Sequence, residues 1–189
     1  MRTIFGFVRH GQTNWNYEGR IQGTINNPLN EEGIKQAHQL GQFLSEHDRD
    51  WNLIFTSPLQ RAKSTAEILS GYLPKVPLYV NPHFIEREFG DAEGCLITKE
   101  LFDHIVADEV PGLEVSCILQ KRIENAVKEL AREHEGKRIL VVAHSHVIKG
   151  LLTKIDPKYT FRDRMENGSI TYFVVEGGEV QILALNVRE

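Results

Sequence analysis

The chain has 189 residues, 41% hydrophobic and 25% charged, which fits a globular protein long enough to bury one sizeable core. A net charge of −4 and a pI near 6.1 argue against a general binder of nucleic acid or anionic membranes, and leave room for a local basic pocket. No apolar run approaches the roughly 20 residues that span a bilayer. The N-terminus lacks a secretory h-region and cleavage site, and Cys95 and Cys117 have no metal-ligand or redox spacing, so a cytoplasmic protein with two free thiols is expected.

Ile4 to Val8 is an apolar run closed by Gly11, short enough for a buried strand. Arg9, His10 and Gly11 follow at once. They place a fixed cation and an imidazole at a strand's carboxyl end, where open α/β sheets bind ligands. Asn14 reads as the cap of a short helical turn, with Thr13 and Asn16 as small hydrogen-bonding groups beside it. Residues 19–30, rich in Gly, Asn and Pro, read as loop. Asn30 then caps a helix with Glu31 and Glu32 in its first turn and Ile34, Ala37, Leu40, Gly41 and Leu44 at helical spacing.

Residues 52–56 read as a second strand. Ser57 and Pro58 open the next helix, as N-cap and first position, and it runs to about Ser70. A short third strand covers 76–80. The loop 83–94 is dense in charge, with Glu86, Arg87, Glu88, Asp91 and Glu93. A short helix lies within 97–106, and Pro111-Gly112 breaks the chain before a long amphipathic helix over about 114–133. Its apolar face is read as Ile118, Ile123, Val127 and Leu130. Residues 138–143, RILVVA, have the continuous apolar character of a strand buried on both faces. His144-Ser145-His146 ends it, and a helix over about 147–152 follows. Segments 169–175 and 179–185 flank Gly177-Gly178 as a hairpin. The alternation predicts a three-layer α/β/α fold over residues 1–189, with a mainly parallel central sheet and antiparallel strands at one edge.

Two strands therefore end in histidine, at His10 and His144. In a parallel sheet both ends lie at one edge, and if the strands are neighbours the imidazoles face one cleft. Arg61, near the start of the helix after the second strand, adds a fork of donors where a helix N-terminus already favours an anion. A metal site on His10, His144 and His146 is disfavoured by the nearby Arg9 and Arg61 and by the lack of an acidic or cysteine partner at ligand spacing. No metal or other cofactor is expected, and His146 reads as a neighbour without a catalytic role.

The segments RHGQTNWN (9–16), GRIQGTINNPLNEEGIKQA (19–37), SPLQRAKSTA (57–66), FIEREFGDAEG (84–94) and VVAHSHVIKG (141–150) resemble, in order, those of the histidine phosphatase superfamily. That superfamily includes cofactor-dependent phosphoglycerate mutases, fructose-2,6-bisphosphatases and broad-range phosphatases. The resemblance implies a phosphoglycerate mutase-like fold and gives roles to particular residues. His10 would take the phosphoryl group as a phosphohistidine. Arg9, Arg61 and His144 would bind its oxygens, helped by Asn16 and the Ser145 backbone N–H. Glu86 would donate a proton to the leaving group, and Gln22 and Gly23 would lie at the pocket mouth. Phosphoryl transfer needs positioning and charge stabilisation, which such a set supplies.

Within the family, Glu93-Gly94 is closer to the phosphatase branch. The cap segment, residues 95–113, supplies no basic residue beyond Lys99 and carries Glu100, Asp103, Asp108 and Glu109, so a second phosphate would find little there to pair with. The chain also ends soon after the hairpin, without the tail that shelters the phosphohistidine in mutases. The expected function is a metal-independent phosphatase acting on small phosphate monoesters, with no nucleic-acid or membrane partner and a homodimer as the family's suggestion. The alternatives are a phosphoglycerate mutase-type phosphotransferase and a non-catalytic module that binds phosphorylated ligands. Asn26, where many relatives carry Asp, and the segment Pro111 to Val115 depart from the family pattern and put the cap geometry in question.

Overall fold

A computed structural model describes residues 1–188; Glu189, the last residue of the expected domain, lies outside them. Six strands form one sheet: β1 (Thr3–Arg9), β2 (Leu53–Thr56), β3 (Leu78–Val80), β4 (Arg138–Ala143), β5 (Ile170–Glu176) and β6 (Glu179–Val187). Their spatial order is β3-β2-β4-β1-β5-β6. The first four in that order are parallel, and β5 and β6 run antiparallel at one edge. The six helices are α1 (Asn14–Glu18), α2 (Glu31–His47), α3 (Gln60–Tyr72), α4 (Lys99–Val106), α5 (Ser116–Glu133) and α6 (Ser145–Ile155).

The layers follow from strand alternation. On β4, Ile139, Val141 and Ala143 join Phe5 and Phe7 of β1 against Leu119, Ile123 and Val127 of α5 and Val147 and Leu151 of α6. Leu140 and Val142 face the other way, with Val8, onto Leu40 and Leu44 of α2 and Ala62, Ala66 and Leu69 of α3. Each side chain on β4 from Ile139 onward is buried, as its unbroken apolar run requires. A separate small cluster of Ile21, Phe89, Ala92, Ile105 and Leu113 seats the short helix α4 over one end of the sheet.

Several local expectations are corrected. Thr13, not Asn14, caps α1, in a reciprocal box with Asn16. The buried stripe of α2 includes Gly33, and Ile34 is exposed. Gly33 is needed there because a Cβ would lie 2.0 Å from the Gln12 carbonyl oxygen. Counting back from Ile123, the core position on α5 is Leu119, so Ile118 faces solvent. Helix α3 starts at Gln60 rather than at Pro58 and continues through Gly71 to Tyr72. Ser57 is not its N-cap: the Ser57 hydroxyl accepts from the Leu59 N–H at 3.3 Å, ahead of the helix, and meets His144 Nε2 at 2.7 Å. The capping oxygen comes from elsewhere: Asn26 Oδ1 accepts from the Gln60 N–H at 2.7 Å. Strand β3 is shorter than expected, and α6 begins directly after His144. Both cysteines are free and exposed.

Candidate active site

Strands β1 and β4 are neighbours in register, with Arg9 opposite Ala143. The His10 N–H donates to the Ala143 carbonyl at 3.1 Å, so His10 and His144 leave the sheet side by side. Their rings lie 5.1 Å apart, and they are 2% and 0% exposed. His10 Nδ1 lies 2.7 Å from the Gly11 carbonyl oxygen, which can only accept, so the proton sits on Nδ1. The lone pair is then on Nε2, where Arg61 Nε donates at 3.2 Å. Burial, followed by the Arg61 and Arg9 guanidiniums, holds His10 well below the ordinary histidine value, so it is neutral. His144 is held down by the same means, burial first, and its Nε2 lies 2.7 Å from Ser57 Oγ. Its buried Nδ1 has no partner.

Arg61 is 1% exposed and fixed on three sides: Nη1 donates to Ile25 O at 2.8 Å, Nη2 to Gly23 O at 2.7 Å, and Nε to His10. Arg9 donates through Nη1 to Met165 O, while its buried Nε has no partner. Burial pulls both guanidiniums down to about 10, so both remain cations at neutral pH.

The loops that carry these groups are locked by small residues and amides. A Cβ on Gly11 would lie 2.2 Å from Gly33 O, so the loop after β1 rests backbone to backbone on the start of α2. The Gly11 N–H donates to Thr65 Oγ1, and that hydroxyl donates to Arg61 O. Asn167 Nδ2 donates to His10 O at 2.9 Å and to Asn16 Oδ1 at 3.3 Å. Thr13 Oγ1 donates to Gln22 Oε1 at 2.9 Å. Glu93 accepts from the Thr24 and Phe89 N–H groups and so ties the 22–24 loop to the 89–93 loop.

Glu86 enters from the charged loop. It is 7% exposed, accepting at Oε1 from the Arg87 N–H (2.9 Å) and at Oε2 from the His146 N–H (3.4 Å). Burial raises its pKa against those two N–H groups and the Arg61 and Arg9 charges. A cavity of about 370 Å³ opens above the histidines and is lined by Arg9, His10, Asn16, Gln22, Gly23, Arg61, Glu86 and Ser145 among others. Eight of the nine expected site residues thus meet in one cleft; His144, 0% exposed, does not line it and lies beneath, against His10.

Sequence reasoning missed the rim. The cap segment brings the apolar Ile97 and Phe102 to the cavity, while Lys99 points to solvent and pairs with Asp103. The rim cations come from other segments: Arg20, Lys149, Arg162 and Arg164. The expectation that a second anion finds little to pair with thus holds for residues 95–110 but not for the pocket. His146, read as a bystander, also lines the cavity. Among the described residues, no three or more His, Cys, Asp or Glu side chains are grouped to hold a metal ion.

The family model described as histidine phosphatase superfamily (branch 1) matches residues 5–188. The uncharacterized phosphatase PhoE of Bacillus subtilis (strain 168) is 39% identical over 156 residues, which is 81% of this chain and 77% of that protein. A metal-independent phosphoserine phosphatase of Arabidopsis thaliana is 35% identical over 162 residues, 78% of this chain and 66% of that one. Among solved structures, Bacillus stearothermophilus YhfR aligns with a TM-score of 0.83 at 31% identity, covering 97% of this chain and 96% of that one.

Proposed function

Because the chain belongs to the histidine phosphatase superfamily, we propose that it is a metal-independent phosphatase that hydrolyses small phosphate monoesters through a phosphohistidine on His10. The observation that carries this reading is the tautomer of His10. A buried neutral ring carries its lone pair on Nε2, held at 3.2 Å by the Arg61 Nε–H at the cavity floor, beside a second guanidinium and a second imidazole.

His10 Nε2 attacks phosphorus, the N–P bond forms and the ester P–O bond breaks. Glu86, whose pKa burial raises, gives its proton to the departing alkoxide, and the alcohol leaves. Arg9 and Arg61 bind the phosphoryl oxygens, with Asn16 and the Ser145 N–H beside them, and His144 backs the His10 ring from beneath the cavity. Fixed guanidiniums supply the charge stabilisation that the transferring group needs. In the return step water attacks phosphorus, the Glu86 carboxylate takes its proton, and the N–P bond breaks to free His10 and inorganic phosphate. Gln22 and Gly23 shape the mouth, and the cap segment, residues 95–113, selects the alcohol through its apolar face.

The test is phosphate release in EDTA from an aryl phosphate, 3-phosphoglycerate, fructose 2,6-bisphosphate, nucleotides and phosphopeptides, with His10→Ala alongside. Release that vanishes in His10→Ala, with an acid-labile, alkali-stable phosphoenzyme trapped on quenching the wild type, is the expected result. Isomerisation of 3-phosphoglycerate with little phosphate release would place the chain with the mutases. No turnover of any ester would leave a binding module.

A further inference from the structure

Three residues of the phosphoryl site are held by one short segment, residues 165–169, which leads into β5. Arg9 donates through Nη1 to Met165 O. The Arg9 backbone pairs with the same segment: its N–H donates to Ser169 O, and its carbonyl accepts from the Gly168 N–H, each at 3.0 Å. Asn167 sits inside this ladder. Its Nδ2 reaches His10 O at 2.9 Å and Asn16 Oδ1 at 3.3 Å.

These bonds decide which way each amide faces. The two ends of a side-chain amide are alike in shape and opposite in hydrogen bonding. His10 O can only accept, so the end of Asn167 that meets it is the NH2. The Thr13 N–H can only donate, so the end of Asn16 that meets it at 3.1 Å is Oδ1. Asn167 Nδ2 gives that oxygen a second donor. Thr13 Oγ1, 3.2 Å from it, spends its single proton on the nearer Gln22 Oε1 at 2.9 Å. Among the described residues Asn16 Nδ2 has no hydrogen-bond partner, and Asn16 lines the cavity above the histidines. Its carbonyl end, which would repel a phosphoryl oxygen, is occupied by protein donors, and its NH2 end is free for a ligand. The capping box fixes this amide only relative to α1. Asn167 ties the same oxygen to the backbone of His10 and so sets the amide against the nucleophile.

We propose that Asn167 is a positioning residue for phosphoryl transfer: it holds the Asn16 amide with its NH2 toward the phosphoryl group and at a set distance from His10. The inference rests on the phosphatase reading above, which gives Asn16 a phosphoryl oxygen. Asn167 is not among the residues lining the cavity, so it acts through Asn16 and does not touch the substrate. A hydrogen bond to a charged phosphoryl oxygen is about twice as strong as a neutral one, and its worth depends on the donor being in place before the reaction starts.

The experiment is a double-mutant cycle: kcat/KM for p-nitrophenyl phosphate and for glycerol 3-phosphate in the wild type, Asn16→Ala, Asn167→Ala and the double variant. Asn16→Ala is expected to lose about 10- to 100-fold, the worth of a hydrogen bond to a charged group. Asn167→Ala is expected to lose about tenfold beside an intact Asn16, and less than about twofold once Asn16 is already alanine. The loss is the same on both esters, because the phosphoryl group is common to them. A tenfold loss in both backgrounds means that Asn167 acts through the His10 backbone or the fold, and overturns the proposal, as does an Asn167→Ala variant of wild-type activity. Asn167→Asp keeps the shape and puts an acceptor where the donor was, so it loses at least as much as Asn167→Ala; an aspartate variant as active as the wild type shows that only volume matters there and also overturns it. Inorganic phosphate titrated calorimetrically into the same four backgrounds built on His10→Ala reads the cycle without turnover. If the wild type hydrolyses no ester, the phosphatase reading fails by itself. Coupled losses of phosphate affinity then keep the positioning role, and independent losses sink it.

Discussion

Replacing Glu86 with Gln isolates the proton donor from the rest of the site. The carboxyl is pinned by two backbone N–H groups, from Arg87 at 2.9 Å and His146 at 3.4 Å. A glutamine retains the first bond through its carbonyl and loses the second, so the stability cost is about 1 kcal/mol, that of one buried hydrogen bond. The catalytic cost depends on the leaving group. An alkyl phosphate must expel a strongly basic alkoxide, and a general acid contributes about 10²- to 10⁴-fold to such a step. At about 1.4 kcal/mol per tenfold, that is about 3–5 kcal/mol of barrier. An aryl phosphate expels a stable phenolate and needs the proton little, so its phosphorylation rate falls by less than about tenfold. The assay is single-turnover formation of the phosphoenzyme from glycerol 3-phosphate and from p-nitrophenyl phosphate, in wild type and Glu86→Gln. The wild-type rate with the alkyl ester declines as pH rises through the elevated Glu86 value, because the acid form is lost, and the variant lacks that limb. Equal losses on both esters, or no loss on the alkyl one, would refute the role given to Glu86.

Three further outcomes follow from the same packing. His10, His144 and His146 are all buried neutral with pKa values held well below 6.5, so the unfolded chain binds more protons below that pH and stability falls on acidification. The slope approaches about 1.4 kcal/mol per pH unit for each histidine, the raised Glu86 acts in the opposite sense, and urea unfolding between pH 7 and 5 measures the balance. Arg87 is fully buried, lies over Phe89 and Phe161, and bonds Asp108 and Glu114 O; Arg87→Met strands those acceptors and lowers the unfolding free energy by about 3 kcal/mol, read as a shifted urea midpoint at constant slope. Gly33→Ala forces a Cβ to within 2.0 Å of Gln12 O, so it costs about 1–3 kcal/mol in the same assay and lowers activity by displacing the loop that carries His10.

The parts of the fold that were legible in sequence are those whose periodicity is fixed by burial. RILVVA could only be a strand covered on both faces, and β4 has the expected bounds. The paired histidines were legible for a related reason. Parallel neighbours end at one edge, so two strands that both end in histidine converge if they pair, and they do. Helix starts were less legible, because a capping group need not be local. Ser57 has the right chemistry for a cap but accepts from the Leu59 N–H, before the helix begins, and Asn26 supplies the oxygen for the Gln60 N–H from 34 residues away.

The pocket rim was hidden for a different reason. Its cations come from Arg20 in one loop, Arg162 and Arg164 in another, and Lys149 within a helix. None belongs to a periodic pattern that distinguishes pocket from solvent. On α6 the apolar spacing marks Val147, Leu151 and Leu152 as core, and Lys149 reads as an ordinary polar position between them. Only the course of residues 156–169 across the end of α6 buries it, by bringing Phe161 over the His146 ring and its carbonyl onto Lys149 Nζ. Arg9, His10 and His144, given the phosphoryl chemistry here, lie at the ends of β1 and β4 and could be read from local sequence. The rim residues meet the cavity according to which loop crosses which helix, and that contact is visible only in three dimensions.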